Sequence, residues 1–261
     1  MRNMKTYNNE KYIVSMTSFP QRYALCAKTI FNLLTKQTYK NFHLVLTLFK
    51  DDYAQLTDNL KLFADNNLIE IIIADTNLCP HLKYYYVMKK YWDKPIITLD
   101  DDRQYSNNII ETLIKKYESL NYKSIVCNVA PKMSQTHGKL DDANIWCVGT
   151  SRLRPNEQSY VAMAEGFGGV LYPEKAFDCS TLNIEEIKKC LYHDDIYLKV
   201  LAIRNKLIVT QAESCWNVNV FGNDMTGADE TSLYNHNNTS FDYRRNVTRL
   251  FENDLMRGFS L

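Results

Sequence analysis

Residues 95–108 read PIITLDDDRQYSNN, and a short apolar run in this stretch leads straight into three consecutive carboxylates. An apolar run of this length is typical of a buried strand. Asp100, Asp101 and Asp102, here called the strand-end acids, follow it at the point where the strand should end. Because adjacent carboxylates repel one another, we expect positive charge to lie beside them.

The sequence around this stretch alternates between apolar runs and amphipathic segments. Apolar runs predict strands at 11–17, 42–49, 68–75 and 95–102, and helical periodicity predicts helices at 22–37, 53–66, 82–92 and 107–120. This alternation is typical of an α/β fold with a mostly parallel central sheet flanked by helices.

The pattern is less regular from residue 124 onward. We predict strands at 124–130 and 206–210, a glycine-rich turn with a short strand at 166–173, helices at 184–191 and 194–205, and polar loops at 131–160 and 222–240. No linker or repeat interrupts the chain. A single domain over 1–261 is the simplest organisation, with a regular half at about 11–130, a second half at about 131–240 and a C-terminal helix at 241–261.

Composition excludes several classes of protein. The chain has 261 residues, 45% of them apolar, and a formal net charge of +1, so no overall field favours nucleic acid. Its seven cysteines are widely spaced without a CxxC pair, which favours reduced thiols over a disulfide framework or a zinc site. The first residues lack a signal-peptide core, and no apolar run approaches the ~20 residues of a membrane span. We therefore expect a cytoplasmic protein.

The strand-end acids have the chemistry of a divalent-metal site. Mg²⁺ and Mn²⁺ take one or two carboxylates together with phosphate oxygens. In an extended segment Asp100 and Asp102 point the same way, toward one metal and its phosphates, while Asp101 points elsewhere, toward a sugar hydroxyl. The alternative is a solvated loop whose acids cap the helix that begins near Asn107.

Two other segments offer hydrogen-bond donors and positive charge for a nucleoside diphosphate. Ligands of open α/β sheets bind at the carboxyl ends of the strands. Thr17, Ser18 and Arg22 follow the first strand there, although Ser18 would fit equally well as a helix cap. Lys83 precedes the acidic strand and would neutralise phosphate charge; the alternative is a solvated surface lysine.

The second half contributes a glycine turn and a second acidic pair. In EGFGGVLYP, Gly166, Gly168 and Gly169 would let a sugar approach the backbone closely, or form a plain turn. Asp194 and Asp195, here called the helix-start acids, are candidates for a catalytic base or for helix capping. His236 is a candidate metal ligand, although a lone histidine in a polar loop is more often an ordinary surface residue.

Taken together, these motifs resemble glycosyltransferases of the GT-A fold. LDDDR resembles their DxD motif, and GFGGVLYP followed by HDDIYLKV resembles their acceptor-side glycine loop and ED base motif. The opening IVSMTSFPQR and the NLLTKQTYKNFHLVLTLF after it resemble bacterial family-2-like transferases of capsule and lipopolysaccharide synthesis. The resemblance extends from about residue 11 to residue 205.

This resemblance implies a nucleotide-diphospho-sugar donor, by default UDP-hexose, Mn²⁺ or Mg²⁺, and a glycan or lipid-linked saccharide as acceptor. Asp100 and Asp102 would hold the metal and diphosphate. Asp195 would match the base, with Asp194 beside it. Three acids replace D-x-D, and Asp–Asp replaces Glu–Asp, so the metal ligands remain open and the two helix-start acids could exchange roles.

Two other functions fit some of these residues. A metal-dependent phosphohydrolase or nucleotidyltransferase would also place acids after a strand, but it would not require the second acidic pair. A non-catalytic carbohydrate-binding protein would keep the fold without the chemistry.

The C-terminal segment 241–261 reads as an amphipathic helix. Its shared apolar face consists of Val247, Leu250, Phe251 and Leu255, and its charge comes from Arg244, Arg245, Arg249 and Arg257. Docking on the core is one interpretation. Peripheral contact with the inner membrane surface, where lipid-linked acceptors lie, is the other.

Overall fold

The computed structural model describes residues 10–148, 151–177, 179–212, 218–220 and 241–261. The strands are β1 Tyr12–Thr17, β2 Phe42–Phe49, β3 Glu70–Ala74, β4 Ile96–Thr98, β5 Arg103–Tyr105, β6 Ile125–Cys127, β7 Gln135–Thr136, β8 Lys139–Leu140, β9 Gln158–Ser159, β10 Val170–Tyr172, β11 Val209–Gln211 and β12 Val218–Val220. The helices are α1 Tyr23–Lys36, α2 Lys50–Tyr53, α3 Asp58–Asp65, α4 Tyr85–Lys90, α5 Ile109–Ser119, α6 Ala143–Val148, α7 Ile184–Lys189, α8 Asp194–Arg204, α9 Phe241–Leu250 and α10 Glu252–Arg257.

An eight-stranded sheet forms the centre of the fold, in the order β3-β2-β1-β4-β10-β6-β11-β9. Neighbours are parallel from β3 to β4 and between β6 and β11. β10 is antiparallel to both β4 and β6, and β9 is antiparallel to β11. The predicted α/β fold with a mostly parallel sheet is confirmed.

Helices cover both faces of this sheet because apolar residues on its inner strands alternate between two cores. Ile13 joins one core, with residues of α4, α7 and α8, while Val14 joins the other, with residues of α1, α3 and α5. Neighbouring residues of β1 are therefore buried on opposite faces, as expected for an inner strand.

Several elements differ from the sequence prediction. The helix predicted at 53–66 is divided into α2 and α3, and the one predicted at 82–92 is a 3₁₀ turn at Cys79–Lys83 followed by α4. The predicted polar loop 131–160 contains β7, β8, α6 and β9. Local periodicity did not reveal these short elements, which depend on tertiary contacts.

The C-terminal segment packs on the core through α9 and α10. Val247, Phe251 and Leu255 are buried in the core that also contains α8. Leu250 is 49% exposed, so its assignment to the same face was wrong. Because the other three residues are already covered by protein, this packing does not support a membrane contact through the apolar face. Among the described helices, none combines the length and the apolar character needed to cross a bilayer.

Candidate active site

The sequence-predicted site residues converge at one edge of the central sheet. β1 and β4 are parallel neighbours, so Ser18 and the strand-end acids leave the sheet on the same side. β10 runs antiparallel to β4, with Val170 opposite Thr98. The 3₁₀ turn Gly166–Gly168 before β10 therefore lies at the same edge.

Asp101 is turned into the protein and fully engaged there. Its Oδ2 accepts a hydrogen bond from Ser18 Oγ at 2.6 Å, and its Oδ1 lies 3.3 Å from a guanidinium nitrogen of Arg22. Thr29 Oγ1 donates to its backbone carbonyl at 2.9 Å. Burial raises the pKa of Asp101 to about 7, against the lowering effect of Arg22. Asp101 therefore holds the loop, and the predicted sugar contact would have to compete with these bonds.

The other two strand-end acids are also paired with cations, as the sequence predicted. Asp102 lies 3.0 Å from Arg22 and 3.5 Å from Arg103. Asp100 Oδ1 lies 3.0 Å from Lys83 Nζ. Burial alone would raise the pKa of Asp100, but Lys83 and Arg103 outweigh it and hold the pKa below its ordinary value.

Lys83 connects the two acidic regions of the site. Its ammonium group lies 3.0 Å from Asp100 and 2.8 Å from Asp194, and the residue is buried, which excludes a solvated surface lysine. Burial opposes the charge, but Asp100, Asp194 and Asp195 together raise the pKa of Lys83 well above its ordinary value. Residues 94 positions apart in the chain, Asp100 and Asp194, thus share one buried cation.

His81 fixes the position of the turn that carries Lys83. Its Nδ1 lies 2.6 Å from the hydroxyl of Tyr84, and its Nε2 lies 3.1 Å from the carbonyl of Cys190. These partners fit a neutral ring that accepts from Tyr84 and donates to Cys190. Burial lowers the pKa of His81 to about 4. The Cys79–Lys83 turn is thereby tied to the segment that precedes the helix-start acids.

The two helix-start acids occupy the first turn of α8 in different environments. Asp194 is buried against Lys83. Asp195 is partly exposed, and its Oδ1 accepts a hydrogen bond from the backbone N–H of Gly166 at 3.0 Å. Burial and the neighbouring Asp194 raise the pKa of Asp195 well above its ordinary value, against the effect of Lys83. Of the two residues, Asp195 is the more exposed.

Of the three glycines in the EGFGGVLYP turn, the one that faces the site is Gly166. A Cβ on Gly166 would lie 2.8 Å from Lys83 Nζ and 3.1 Å from Asp195 Oδ1. A Cβ on Gly168 would lie 2.6 Å from Val129, and one on Gly169 would lie 3.0 Å from Leu99, with φ of +80° at Gly169. Packing against the core explains the latter two glycines, and their predicted sugar contact stays a prediction.

Two neighbours of Gly166 were not predicted as site residues from the sequence. Glu165 adds a carboxylate to the two helix-start acids, and its negative charge helps to raise the pKa of Asp195. The ring of Phe167 lies against Arg103, with its centroid 5.3 Å from the guanidinium carbon. Both belong to the EGFGG motif, Glu165 directly before Gly166 and Phe167 directly after it.

The remaining predicted residues contribute less. Thr17 donates its hydroxyl to the carbonyl of Thr47 in β2, at 2.8 Å. His236 lies outside the described residues. Within the described residues, no group of three or more His, Cys, Asp and Glu side chains is arranged to hold a metal.

The charges nevertheless fit a divalent cation bound with a phosphate ligand. In the described part of the site, five carboxylates meet the three cations Lys83, Arg22 and Arg103. The pKa of Asp102 is raised by burial and by the neighbouring Asp100, against the lowering effects of Arg22 and Arg103. Mg²⁺ and Mn²⁺ need only one or two such carboxylates when phosphate oxygens and water complete the shell.

Comparisons with known proteins give structural likeness alone. No family model matches the chain, and no curated protein matches it in sequence. Among solved structures, the mannosyltransferase PcManGT from Pyrobaculum calidifontis, in complex with GDP-Man and Mn²⁺, matches with a TM-score of 0.50 and 9% identity, over 78% of this chain and 55% of that one. The chain thus spans about half the length of that enzyme and shares its fold, a Rossmann-like α/β fold of the GT-A type.

Two further structures superpose less closely, and we draw nothing from them. A protein from Desulfovibrio desulfuricans G20, assigned as a nucleotide-diphospho-sugar transferase, has a TM-score of 0.44 and 14% identity, over 95% of this chain and 97% of that one. Residues 1–349 of S. aureus TarS, in complex with UDP, match with a TM-score of 0.43 and 11% identity, over 75% of this chain and 65% of that one.

Proposed function

We propose that this protein is a metal-dependent glycosyltransferase that moves a hexose from a nucleotide-diphospho-sugar, by default UDP-hexose, to a hydroxyl group, with inversion at the anomeric carbon. The acceptor would be a growing surface glycan or a lipid-linked saccharide of capsule or lipopolysaccharide synthesis. The protein itself would be a family-2-like enzyme that acts on the cytoplasmic side of the membrane. The fold and the charge distribution at the edge of the sheet support this proposal.

The observation that carries the proposal is the shared ammonium group of Lys83. It joins a strand-end acid, Asp100, to a helix-start acid, Asp194. A simple phosphohydrolase needs acids at the strand end but has no need for a second acidic region beside them. A transferase needs both, because the donor diphosphate and the acceptor hydroxyl must be handled at adjacent places.

Donor binding is assigned to the strand-end side. Asp100 and Asp102 would hold Mn²⁺ or Mg²⁺, and Arg22, which already lies beside Asp102, supplies positive charge near the nucleotide. Lys83 places a further cation at this edge. A bound divalent ion supplies charge that offsets the negative charge developing on the leaving diphosphate.

Asp195 is assigned the role of general base. It accepts the proton of the acceptor hydroxyl while that oxygen forms a bond to the anomeric carbon and the bond from that carbon to the diphosphate oxygen breaks. A single displacement of this kind inverts the anomeric carbon, through an oxocarbenium-like transition state. The backbone N–H of Gly166 orients the carboxylate, and Asp194, paired with Lys83, is the less accessible of the two acids.

The proposal is tested by following nucleotide release from UDP-glucose, UDP-galactose, UDP-N-acetylglucosamine and GDP-mannose, with Mn²⁺ and with EDTA. Metal-dependent release of UDP or GDP from one donor is expected. Release of inorganic phosphate from p-nitrophenyl phosphate, without turnover of any sugar nucleotide, would favour a phosphohydrolase. Tight nucleotide binding without turnover, in the presence of glycoside acceptors, would favour a non-catalytic binding protein.

A further inference from the structure

Glu165 has a fixed backbone directly beside the proposed base. Its N–H donates to the carbonyl of Val129 at 3.0 Å, and its carbonyl accepts from the N–H of Gly168 at 3.3 Å. The next residue, Gly166, donates to Asp195 at 3.0 Å. The backbone of Glu165 is therefore fixed by the same turn that orients Asp195.

One oxygen of the Glu165 carboxylate is buried without a hydrogen-bond donor among the described residues. Its Oε2 atom has no solvent contact, and none of the described residues donates a hydrogen bond to it. Burial raises the pKa of Glu165 to about 7. A buried acceptor that is left unsatisfied costs folding free energy, so such groups in native proteins normally have a partner, which in an enzyme can be the ligand.

The charges around Glu165 select the kind of ligand that would bind it. Arg152 and Arg244 are the charged groups that act on it most, and both favour its ionised form. Two cations on this side disfavour an ammonium group on the ligand. A neutral hydroxyl group donates a hydrogen bond without that repulsion, and sugars carry hydroxyls on adjacent carbons.

The negative charge of Glu165 also reaches Asp195, whose pKa it helps to raise. Glu165 directly precedes Gly166, whose N–H contacts Asp195, so the two carboxylates belong to the same part of the site. We propose that Glu165 is an acceptor-binding residue, whose carboxylate accepts a hydrogen bond from a non-reacting hydroxyl of a sugar acceptor while Asp195 deprotonates the neighbouring one. This inference rests on the proposed transferase function and names one determinant of its acceptor.

The test uses the full chain, Mn²⁺ and the sugar nucleotide that the protein turns over. The acceptor probes are methyl glycosides of glucose, galactose, mannose and N-acetylglucosamine. Glu165→Ala should raise the KM for the acceptor about ten- to a hundredfold, the effect of losing one hydrogen bond to a charged group. Its KM for the donor and its hydrolysis of the donor by water should stay within about twofold, since neither uses this contact.

Two variants separate binding from other roles. Glu165→Gln keeps an oxygen that accepts a hydrogen bond, so its acceptor KM should stay within about threefold of wild type. Glu185→Ala, which removes an exposed carboxylate on α7, is the matched control and should change nothing. Since Glu165 Oε2 is buried without a donor among the described residues, Glu165→Ala should not lower the melting temperature at pH 8.

Several outcomes would overturn the inference. An unchanged acceptor KM in Glu165→Ala would do so, as would a loss of kcat in Glu165→Gln as large as that of Asp195→Asn, which would make Glu165 the base. A melting temperature lowered by many degrees would assign it a structural role. Donor hydrolysis without transfer to any glycoside would also count against it, whereas a wild-type protein that neither binds nor hydrolyses any donor would overturn the proposed function itself.

Discussion

The two acidic regions of the site differ in how their charges are compensated. Each strand-end acid lies within 3.5 Å of a cationic side chain, and Asp101 also accepts from a hydroxyl. On the other side of Lys83, Asp195 accepts one backbone hydrogen bond, and Glu165 Oε2 accepts none from the described residues.

This difference fits two different tasks. Carboxylates that are paired with cations keep a fixed geometry, which suits the binding of a highly charged ligand. Carboxylates that are buried with few donors have raised pKa values, which suits proton transfer at near-neutral pH. This contrast agrees with the proposal that the nucleotide binds at the strand end and the chemistry takes place at the start of α8, with Lys83 between the two regions.

The largest expected effect comes from removing the proposed base. Asp195→Asn should lower kcat for sugar transfer by roughly 10²- to 10⁴-fold, the usual contribution of general base catalysis. Nucleotide binding should be unchanged, because the strand-end side is intact. The checks are the rate of nucleotide release with acceptor and calorimetric binding of the nucleotide. Loss of both nucleotide binding and turnover in this variant would contradict the assignment of binding and catalysis to separate regions.

The pH dependence of the same reaction sharpens this prediction. Asp195 acts as a base only when deprotonated, and its pKa is raised well above the usual value for an aspartate. The rate should therefore rise with pH along a limb that lies well above the usual aspartate range. A kcat profile that is flat from pH 5 to pH 9 would show that Asp195 is not the group that limits the rate.

Removing the cation that connects the two regions should destabilise the whole site. Lys83→Met leaves the buried Asp194 and the partly buried Asp100 without their shared partner. Loss of one partner from a buried ion pair costs about 3–5 kcal/mol of unfolding free energy. Denaturant unfolding measures this change. Lys188→Met, which breaks an exposed pair with Glu185 on α7, is the control and should cost less than about 1 kcal/mol. Equal losses in the two variants would contradict the bridging role.

A smaller effect concerns the histidine that positions Lys83. Burial lowers the pKa of His81 from 6.5 to about 4, so between these values the unfolded chain binds more protons than the folded one. Stability should therefore fall as the pH falls through 6.5 toward 4, by about 2 kcal/mol between pH 7 and pH 5 from this residue.

His81→Gln isolates that contribution. His193 and Glu70, whose pKa values are lowered to about 4 and about 2, change stability in the same direction but are present in both proteins. Unfolding free energies at pH 7 and pH 5 should differ less in His81→Gln than in wild type. An unchanged difference would show that His81 does not carry this pH dependence.

The smallest expected effect provides a baseline away from the site. Leu250→Ser changes an exposed residue of α9, so stability should stay within about 0.5 kcal/mol. Co-sedimentation with anionic vesicles should also be unchanged if α9 only packs on the core. A marked loss of vesicle binding would restore the membrane contact that the sequence analysis considered.

Much of the fold followed from local patterns in the sequence. β2 was predicted with its observed bounds, 42–49, and α8 was predicted to within one residue of its end. Both have unbroken apolar or helical patterns. The division of 53–66 into α2 and α3 was missed, because a break between two short amphipathic helices leaves no clear signal in periodicity.

The site was predictable in its composition but not in its connections. The sequence predicted positive charge near the strand-end acids, and Arg22, Arg103 and Lys83 supply it. It did not show that Lys83 is buried between two acids, since that depends on where the Cys79–Lys83 turn lies relative to α8. Glu165 went unnoticed because an unpaired carboxylate is defined by missing partners, which only three-dimensional contacts reveal.

The central claim is that the strand-end acids hold a metal that holds a nucleoside diphosphate. Calorimetric titration of UDP and GDP, each with and without Mn²⁺, on wild type and on Asp102→Ala tests it most directly. We expect one nucleotide to bind only with Mn²⁺, and this binding to be lost in Asp102→Ala while Asp195→Asn retains it. Equal binding with and without metal, or no binding of either nucleotide to wild type, would contradict the claim.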